Sequence, residues 1–124
     1  MFPTSTNNVE KKYQDQHLSF DFHNSSAYVD LREILLTRKE HELLGLLLDN
    51  AGEIVPREIL LERIWGYGRG IRTRTLDVHI RRLRKKLFPY GDTYIEPIFG
   101  VGYRFQRYRE PRSYTNYVPE LVAV

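Results

Sequence analysis

The sequence contains no cysteine, and none of its apolar runs approaches the length of a membrane span. Without cysteine the chain has no disulfide bond and no thiolate metal site, a composition typical of a reducing compartment. Its longest apolar stretch covers only residues 43–48 and is interrupted by Gly45. The first ten residues lack the basic start and apolar core of a signal peptide. We therefore expect a cytoplasmic protein that does not contact membranes.

Histidines arranged for metal binding are also lacking. His17, His23, His41 and His79 show no ligand spacing such as H-x-x-x-H, and no nucleophile is paired with a base. The glycine-rich stretch at residues 66–71 lacks the lysine and the preceding strand of a phosphate-binding loop. The sequence thus predicts no enzyme, no cofactor and no metal site.

The chain divides into three parts. Residues 1–17 are polar without periodicity, so we expect a flexible N-terminal arm. Residues 18–108 carry the periodic segments, and 124 residues suffice for one such domain with a modest core. Residues 109–124 contain prolines and polar tyrosines, which predict a flexible tail.

Short alternating segments near the start of the domain indicate strands. "LSFDF" (Leu18–Phe22) alternates apolar and polar residues, as half-buried strands do. "AYVDL" and "REILL" are two further short extended stretches. They predict a small antiparallel sheet.

Three helices are predicted after this sheet. Thr37 and Glu40 have the spacing of a capping box, which opens the first helix, and Gly52 suits the position just after its end. The second helix is predicted over Pro56–Gly66, since proline is tolerated in a first turn. The third helix has Thr73 as its expected N-cap. Its apolar residues, Leu76, Ile80, Leu83 and Leu87, recur at helical spacing on one face.

The third helix concentrates positive charge. Residues 72–87 contain seven Lys or Arg residues and one Asp, a segment charge of +6 in a chain whose net charge is +3. Such a concentration predicts a site for a polyanion, although a solvated basic helix face is the common alternative. The face opposite the apolar stripe mixes cations with one valine: Arg74, Val78, Arg81, Arg82 and Lys85. A helix in the DNA major groove needs this mixture, because arginine contacts guanine or phosphate and a small apolar group meets the thymine methyl.

The last periodic unit is predicted to be a β-hairpin. In "TYIEPIFGVGYRFQRY" two β-type runs flank Gly100-Val101-Gly102. The order sheet, helix, helix, loop, basic helix, hairpin is the winged helix-turn-helix arrangement. The predicted fold class is α+β, with an N-terminal antiparallel sheet, three helices and a C-terminal hairpin wing.

The motifs "LTRKEHELLGLLL", "EILLERIWGYG", "RTLDVHIRRLRKKL" and "GVGYRF" resemble the effector domain of OmpR/PhoB-type response regulators. The resemblance covers Leu18 to Phe105. It implies a bacterial transcription regulator, the output domain of a two-component (phosphorelay) system, whose third helix enters the major groove while the wing lies near the minor groove. Residues 1–17 are too short for a receiver domain, so an excised effector domain and a stand-alone regulator both remain open.

The resemblance and the charge pattern also imply site residues. Base contacts fall on Asp77, Val78 and Arg82. Backbone contacts fall on Trp65, Arg72, Arg74, Thr75, His79, Arg81, Arg84 and Lys85. Trp65 is equally open to a core role, since a buried indole also needs a partner.

The resemblance further implies partners. The chain is expected to be a monomer when free and a head-to-tail dimer on direct repeats of double-stranded DNA. The loop that contains Tyr67 and Arg69 is expected to be mobile and to face RNA polymerase. A winged-helix module for protein–protein interaction is the alternative, but it has no need for the charge of the third helix.

The wing departs from the family pattern. The wing residues are Phe99, Gly100, Val101, Gly102 and Tyr103. Before Gly-Val-Gly-Tyr the family usually carries Thr-Val-Arg, whereas this chain has Pro97-Ile98-Phe99, so the arginine that would enter the minor groove is absent. Phe99 either packs on the sheet, which is the favoured expectation, or wedges between base steps.

Overall fold

The computed structural model describes residues 11–109, which form two antiparallel sheets around three main helices. The strands are β1 (Lys12–Gln14), β2 (Leu18–Asp21), β3 (Ala27–Val29), β4 (Arg32–Glu33), β5 (Ile54–Pro56), β6 (Ile95–Ile98) and β7 (Gly102–Phe105). The helices are α1 (Arg38–Asp49), α2 (Arg57–Trp65), α3 (Thr75–Lys86) and the four-residue α4 (Gly91–Tyr94). The predicted tail lies, beyond its first residue, outside the described residues.

The N-terminal sheet has the order β1-β2-β3-β4, and every pair is antiparallel. The predicted alternation is confirmed, because Leu18 and Phe20 are fully buried. The first ten residues of the predicted flexible arm lie outside the described part of the chain, and the prediction that the arm extends to residue 17 is wrong, since β1 lies within it. Tyr13 pairs with Phe20 and is 7% exposed, so β1 belongs to the domain. Three residues are too few for the alternation to be visible in the sequence.

A second sheet has the order β5-β7-β6 and contains the predicted hairpin. Its third strand, β5, was not predicted, because it too has only three residues. Gly102 is required where β7 pairs with the end of β5, since a Cβ there would overlap the carbonyl oxygen of Val55. The sequence predicts Pro56 in the first turn of α2, but Pro56 ends β5 and is the N-cap residue, one position before that turn.

The capping box of α1 is confirmed. The backbone N–H of Glu40 donates to Thr37 Oγ1 over 3.1 Å, and the N–H of Thr37 donates to Glu40 Oε1 over 2.9 Å. The leucine stripe of α1 is buried in the core. Gly52 has the expected positive φ of 88°, but α1 ends earlier than predicted, with Asn50 as the C-cap residue.

The apolar stripe of α3 is confirmed, since Leu76, Ile80, Leu83 and Leu87 are all buried. Its predicted N-cap is wrong by one residue. Arg74 occupies the cap position, while Thr73 Oγ1 accepts the N–H of Thr75 over 3.1 Å.

The short helix α4 adds to the three that were predicted. A Cβ at Gly91 would overlap the carbonyl oxygen of Arg84, so glycine is what lets α4 pack against α3. Among the described residues every helix is too short or too polar to cross a bilayer.

Candidate nucleic-acid interface

The outer face of α3 lies opposite its buried stripe and carries the exposed cations. Arg74, Arg81, Arg82 and Lys85 are exposed, and Val78 is partly buried between them. Within residues 11–109 none of these four cations forms a salt bridge. Arg74, Asp77, Val78 and Arg81 line one shallow depression on this face. The structure therefore brings most of the predicted contact residues together on one surface.

Asp77 lies on the flank of α3 that faces the wing. Arg57 of α2 donates to its two carboxylate oxygens over 2.7 and 3.3 Å, and the Tyr103 hydroxyl donates to Oδ1 over 2.6 Å. The Arg57 hydrogen bond holds the pKa of Asp77 below its usual value despite partial burial. Burial and the bond to Asp77 raise the pKa of Tyr103 to about 12, so its hydroxyl stays a donor. Asp77 thereby ties α3 to α2 and to the hairpin, and its base contact stays a prediction.

Arg84 lies on the same flank and differs from its neighbours in α3. Its Nη2 donates to Asp92 Oδ1 over 2.8 Å, and its side chain is only 28% exposed. Its Nε is buried and has no hydrogen-bond partner within residues 11–109. Arg84 must therefore break its bond to Asp92 before it can make the predicted phosphate contact.

The opposite flank of α3 carries a second ion pair. Lys86 Nζ donates to Glu40 Oε1 over 2.6 Å, and the Glu40 side chain is 2% exposed. Burial opposes ionisation of Glu40, but the bonds from Lys86 and from the Thr37 N–H outweigh it, so the pKa of Glu40 lies below its usual value. The carboxylate that caps α1 therefore also anchors the end of α3.

Trp65 and His79 pack against each other between α2 and α3. Their rings meet edge to face with centroids 4.9 Å apart, and Trp65 is partly buried against the core. His79 Nδ1 lies 2.9 Å from the carbonyl oxygen of Thr75, which assigns the proton to Nδ1. Lys39 donates to the last turn of α2 at the Ile64 carbonyl oxygen over 2.7 Å. This placement gives Trp65 a structural contact and leaves both sequence interpretations of it standing.

The residues of the loop between α2 and α3 differ in exposure, whereas the sequence suggests a loop that is mobile throughout. Tyr67 is partly buried and packs against the core, and its N–H donates to the Leu61 carbonyl oxygen. Arg69 and Arg72 are exposed, and Ile71 is 51% exposed. Of the two residues predicted to face the polymerase, Arg69 is the one whose side chain stands in solvent.

Phe99 stands at the tip of the hairpin and is 100% exposed. The favoured expectation that it packs on the sheet is therefore wrong. The turn explains the difference: Gly100 adopts a φ of +75° and reverses the chain directly after Phe99. The ring thus projects beyond both strands, while Tyr103, further along β7, is buried against the helices.

Three contacts of this surface were not foreseen in the sequence: Arg57 to Asp77, Asp92 to Arg84, and the bond from Lys86 to Glu40, which was singled out only as a cap of α1. Each joins two residues that are far apart in the chain, from eight positions for Asp92 to 46 for Glu40. Helical periodicity carries no signal for such contacts. The described residues contain no cluster of His, Asp or Glu placed to hold a metal ion.

A basic helix that follows a second helix, with a hairpin anchored beside it, defines the winged-helix class of nucleic-acid-binding domains. The chain belongs to the family described as "Transcriptional regulatory protein, C terminal", which matches residues 31–105. The OmpR/PhoB-type resemblance of the sequence is thus confirmed.

Relatives and solved structures agree with this family. Response regulator ArlR of Staphylococcus aureus is 41% identical over 87 residues, which are 69% of this chain and 40% of ArlR. This chain therefore spans less than half the length of ArlR.

The RstA DNA-binding domain of Klebsiella pneumoniae, solved in complex with the RstA box, superposes with a TM-score of 0.71 at 29% identity, covering 78% of this chain and 98% of that domain. DrrB of Thermotoga maritima, an OmpR/PhoB homologue, gives 0.70 at 33% identity, covering 82% of this chain and 47% of DrrB.

Proposed function

We propose that this domain binds double-stranded DNA sequence-specifically and regulates transcription, with α3 in the major groove and the hairpin near the minor groove. The observation that carries the proposal is the outer face of α3, where Arg74, Arg81, Arg82 and Lys85 surround Val78 without an acidic partner in the described chain. A cationic face with a central apolar side chain fits phosphates and base edges together. The similar RstA domain was solved on its DNA box.

The proposal divides the residues by role. Arg82 and Val78 contact base edges, with Asp77 beside them. The backbone contacts belong to Trp65, Arg72, Arg74, Thr75, His79, Arg81, Arg84 and Lys85. Asp77 also has a positioning role through Arg57 and Tyr103. Arg84 contacts phosphate only after it leaves Asp92.

The wider context is part of the same proposal. ArlR is a response regulator, and this chain matches 40% of it. We infer that the domain is the output part of a two-component system, that it works without catalysing a reaction, and that two copies bind head to tail on direct repeats. The exposed Arg69 is the residue of the α2–α3 loop best placed to meet RNA polymerase.

The proposal is tested by titrating the chain with DNA at several salt concentrations. The cognate duplex is first selected by the wild-type chain from a pool of randomised sequences, and a scrambled duplex of equal length is the control. We expect tighter binding to the selected duplex, and affinity for both duplexes that falls steeply with salt as counterions are released. Equal affinity for the two duplexes would contradict sequence-specific binding.

Protein–protein interaction is the second candidate function. Leu35 and Phe88 are 78% and 69% exposed and line one open groove together with Lys85 and Lys86. Such apolar exposure is typical of contact surfaces. Absence of DNA binding in the titration, at any salt concentration, would favour this candidate.

A further inference from the structure

The tip of the wing is apolar and uncharged. Phe99 is 100% exposed and Val101 is 45% exposed. From Pro97 to Tyr103 the sequence contains no charged side chain. The nearest charges on the two strands, Glu96 and Arg104, are bonded to each other over 2.9 Å. The tip therefore has no cation with which to attract phosphate.

The tip is held in place by backbone hydrogen bonds. The N–H of Val101 donates to the Ile98 carbonyl oxygen over 2.9 Å and closes the turn. The N–H of Arg57 donates to the Val101 carbonyl oxygen over 3.0 Å, which fixes the hairpin to the start of α2. A projecting aromatic ring on a fixed turn loses little side-chain entropy when it is buried by a partner.

The tip is also continuous with the cationic face of α3. Tyr103 follows the turn, and its hydroxyl donates to Asp77 over 2.6 Å. Asp77 is the neighbour of Val78 at the centre of that face. When α3 lies in the major groove, a hairpin anchored to its first turns must reach over the sugar–phosphate backbone. The groove on the far side of that backbone is the minor groove.

We propose that Phe99 inserts between two base pairs from the minor groove and bends the DNA that α3 binds. The inference rests on the proposed function and names one further specificity-determining residue in it. An apolar wedge needs the three features described above: complete exposure, a fixed mount and no competing charge. Readout through the wing then depends on how easily a base step unstacks, which favours the flexible TA and CA/TG steps under the tip.

A second protein copy is the other occupant that an exposed phenylalanine suggests. DNA is favoured because the hairpin is bonded through Tyr103 to Asp77 of α3, and the outer face of this helix carries cations that form no salt bridge within residues 11–109. Burying unpaired charges in a protein interface is unfavourable, whereas phosphates neutralise them.

The test measures affinity and bend angle on a selected duplex that carries a single binding site. Phe99→Ala is expected to weaken binding about tenfold and to reduce the bend by at least about 20°. Phe99→Leu is expected to retain most of the bend, since leucine also serves as a wedge. Phe99→Arg is expected to lose the bend while its charge restores affinity. The control is Leu31→Ala, which removes a side chain that is 96% exposed in the turn between β3 and β4.

Each outcome has a distinct meaning. Wild-type bending by Phe99→Ala at unchanged affinity would overturn the wedge while leaving the proposed function intact. A defect confined to duplexes with two sites, with the single-site bend unchanged, would assign Phe99 to a contact with a second copy and overturn the wedge as well. If the wild-type chain binds no duplex, the proposed function itself has failed.

Discussion

The outer face and the flanks of α3 use the same residue types in opposite ways. On the flanks, Arg84 and Lys86 are bonded to Asp92 and Glu40. On the outer face, Arg81, Arg82 and Lys85 are exposed and form no salt bridge with any residue from 11 to 109. The difference follows from 100° of rotation per residue, which turns Arg84 and Lys86 away from the outward direction. Charge counted along the sequence therefore overstates the charge that is available to a ligand.

The two groups also differ in energetic effect. The flank pairs fix the orientation of α3 against α1 and α4. The outer cations lie close together and repel one another, which costs stability in the free protein. That repulsion disappears when phosphates neutralise the cations, so the cost in the free protein becomes part of the affinity for DNA.

The largest effect, on the free energy of unfolding, is expected from removing the Glu40 side chain that binds Lys86 on the flank of α3. Glu40→Ala should lower the free energy of unfolding by about 2–3 kcal/mol, because it removes a helix cap and leaves Lys86 without its partner. Urea unfolding measures this change. Glu42→Ala on the same helix removes only exposed pairs with Arg38 and Lys39, and should cost less than about 1 kcal/mol. Equal losses for the two variants would contradict the anchoring role.

The pH dependence of stability sharpens this prediction. The pKa of Glu40 in the folded protein lies below its ordinary value of 4.5. Its ion pair therefore stabilises the fold fully above the unfolded-state pKa, and this stabilisation is lost as the pH falls through the lower folded-state pKa. Urea unfolding of Glu40→Gln should accordingly show a weaker loss of stability on acidification than the wild type. If the stabilities of the wild type and Glu40→Gln fall in parallel with pH, Glu40 does not contribute to the loss of stability in acid.

On the outer face, Arg82 is expected to separate base reading from backbone contact. Arg82→Ala should cost about 1–3 kcal/mol on the selected duplex and much less on the scrambled duplex, since only a base contact carries sequence information. Fluorescence anisotropy titrations at one fixed salt concentration measure both losses. Equal losses on the two duplexes would make Arg82 a backbone contact.

The outer face and flanks of α3 show which features of the site can be predicted from the sequence. Periodicity places Leu76 and Leu83 in the core and puts Arg82 on the outside, because both facts depend on one helix alone. The same rotation places Asp77 and Arg84 at the side of the helix, but it does not reveal what stands beside them. Their partners come from other elements through tertiary packing, and no local pattern encodes that proximity.

The wing and the edge strands show a second limit of prediction from the sequence. The hairpin is predicted from Gly100 and Gly102, whose positions reflect backbone requirements. The exposure of Phe99 is not predicted, since a phenylalanine in a β-type run is ordinarily expected to be buried. Strands of three residues, such as β1 and β5, are too short for alternation to stand out from chance.

A smaller effect should distinguish Arg81 from Arg84. Arg81→Ala should flatten the dependence of log affinity on log salt by about one unit, because a free arginine contributes one full phosphate contact. Arg84→Ala should flatten it less, since Arg84 must first give up Asp92. Equal changes in slope would mean that the Arg84–Asp92 bond does not restrain Arg84.

Asp92→Asn examines the same bond from its other end. The side chain of Asp92 is 94% exposed, so the fold should tolerate the change. The variant should bind both the selected and the scrambled duplex a few-fold more tightly, as it frees one arginine and removes one negative charge near the DNA. Glu58→Gln, which removes an exposed negative charge from α2, controls for the general change in net charge. An identical gain in DNA affinity for Glu58→Gln would mean that net charge alone explains the effect of Asp92→Asn.

The smallest effect on DNA affinity is expected in the α2–α3 loop. Arg69 is exposed and forms no salt bridge within the described chain, whereas Tyr67 packs against the core. Arg69→Ala should therefore leave DNA affinity within about twofold, in line with the small effects of most exposed surface substitutions, and should lower transcription from a promoter that carries the selected site. Tyr67→Ala should lower stability as well, so it cannot separate the two functions. A loss of affinity that matches the loss of transcription in Arg69→Ala would place Arg69 among the DNA contacts and extend the cationic face of α3 into the loop.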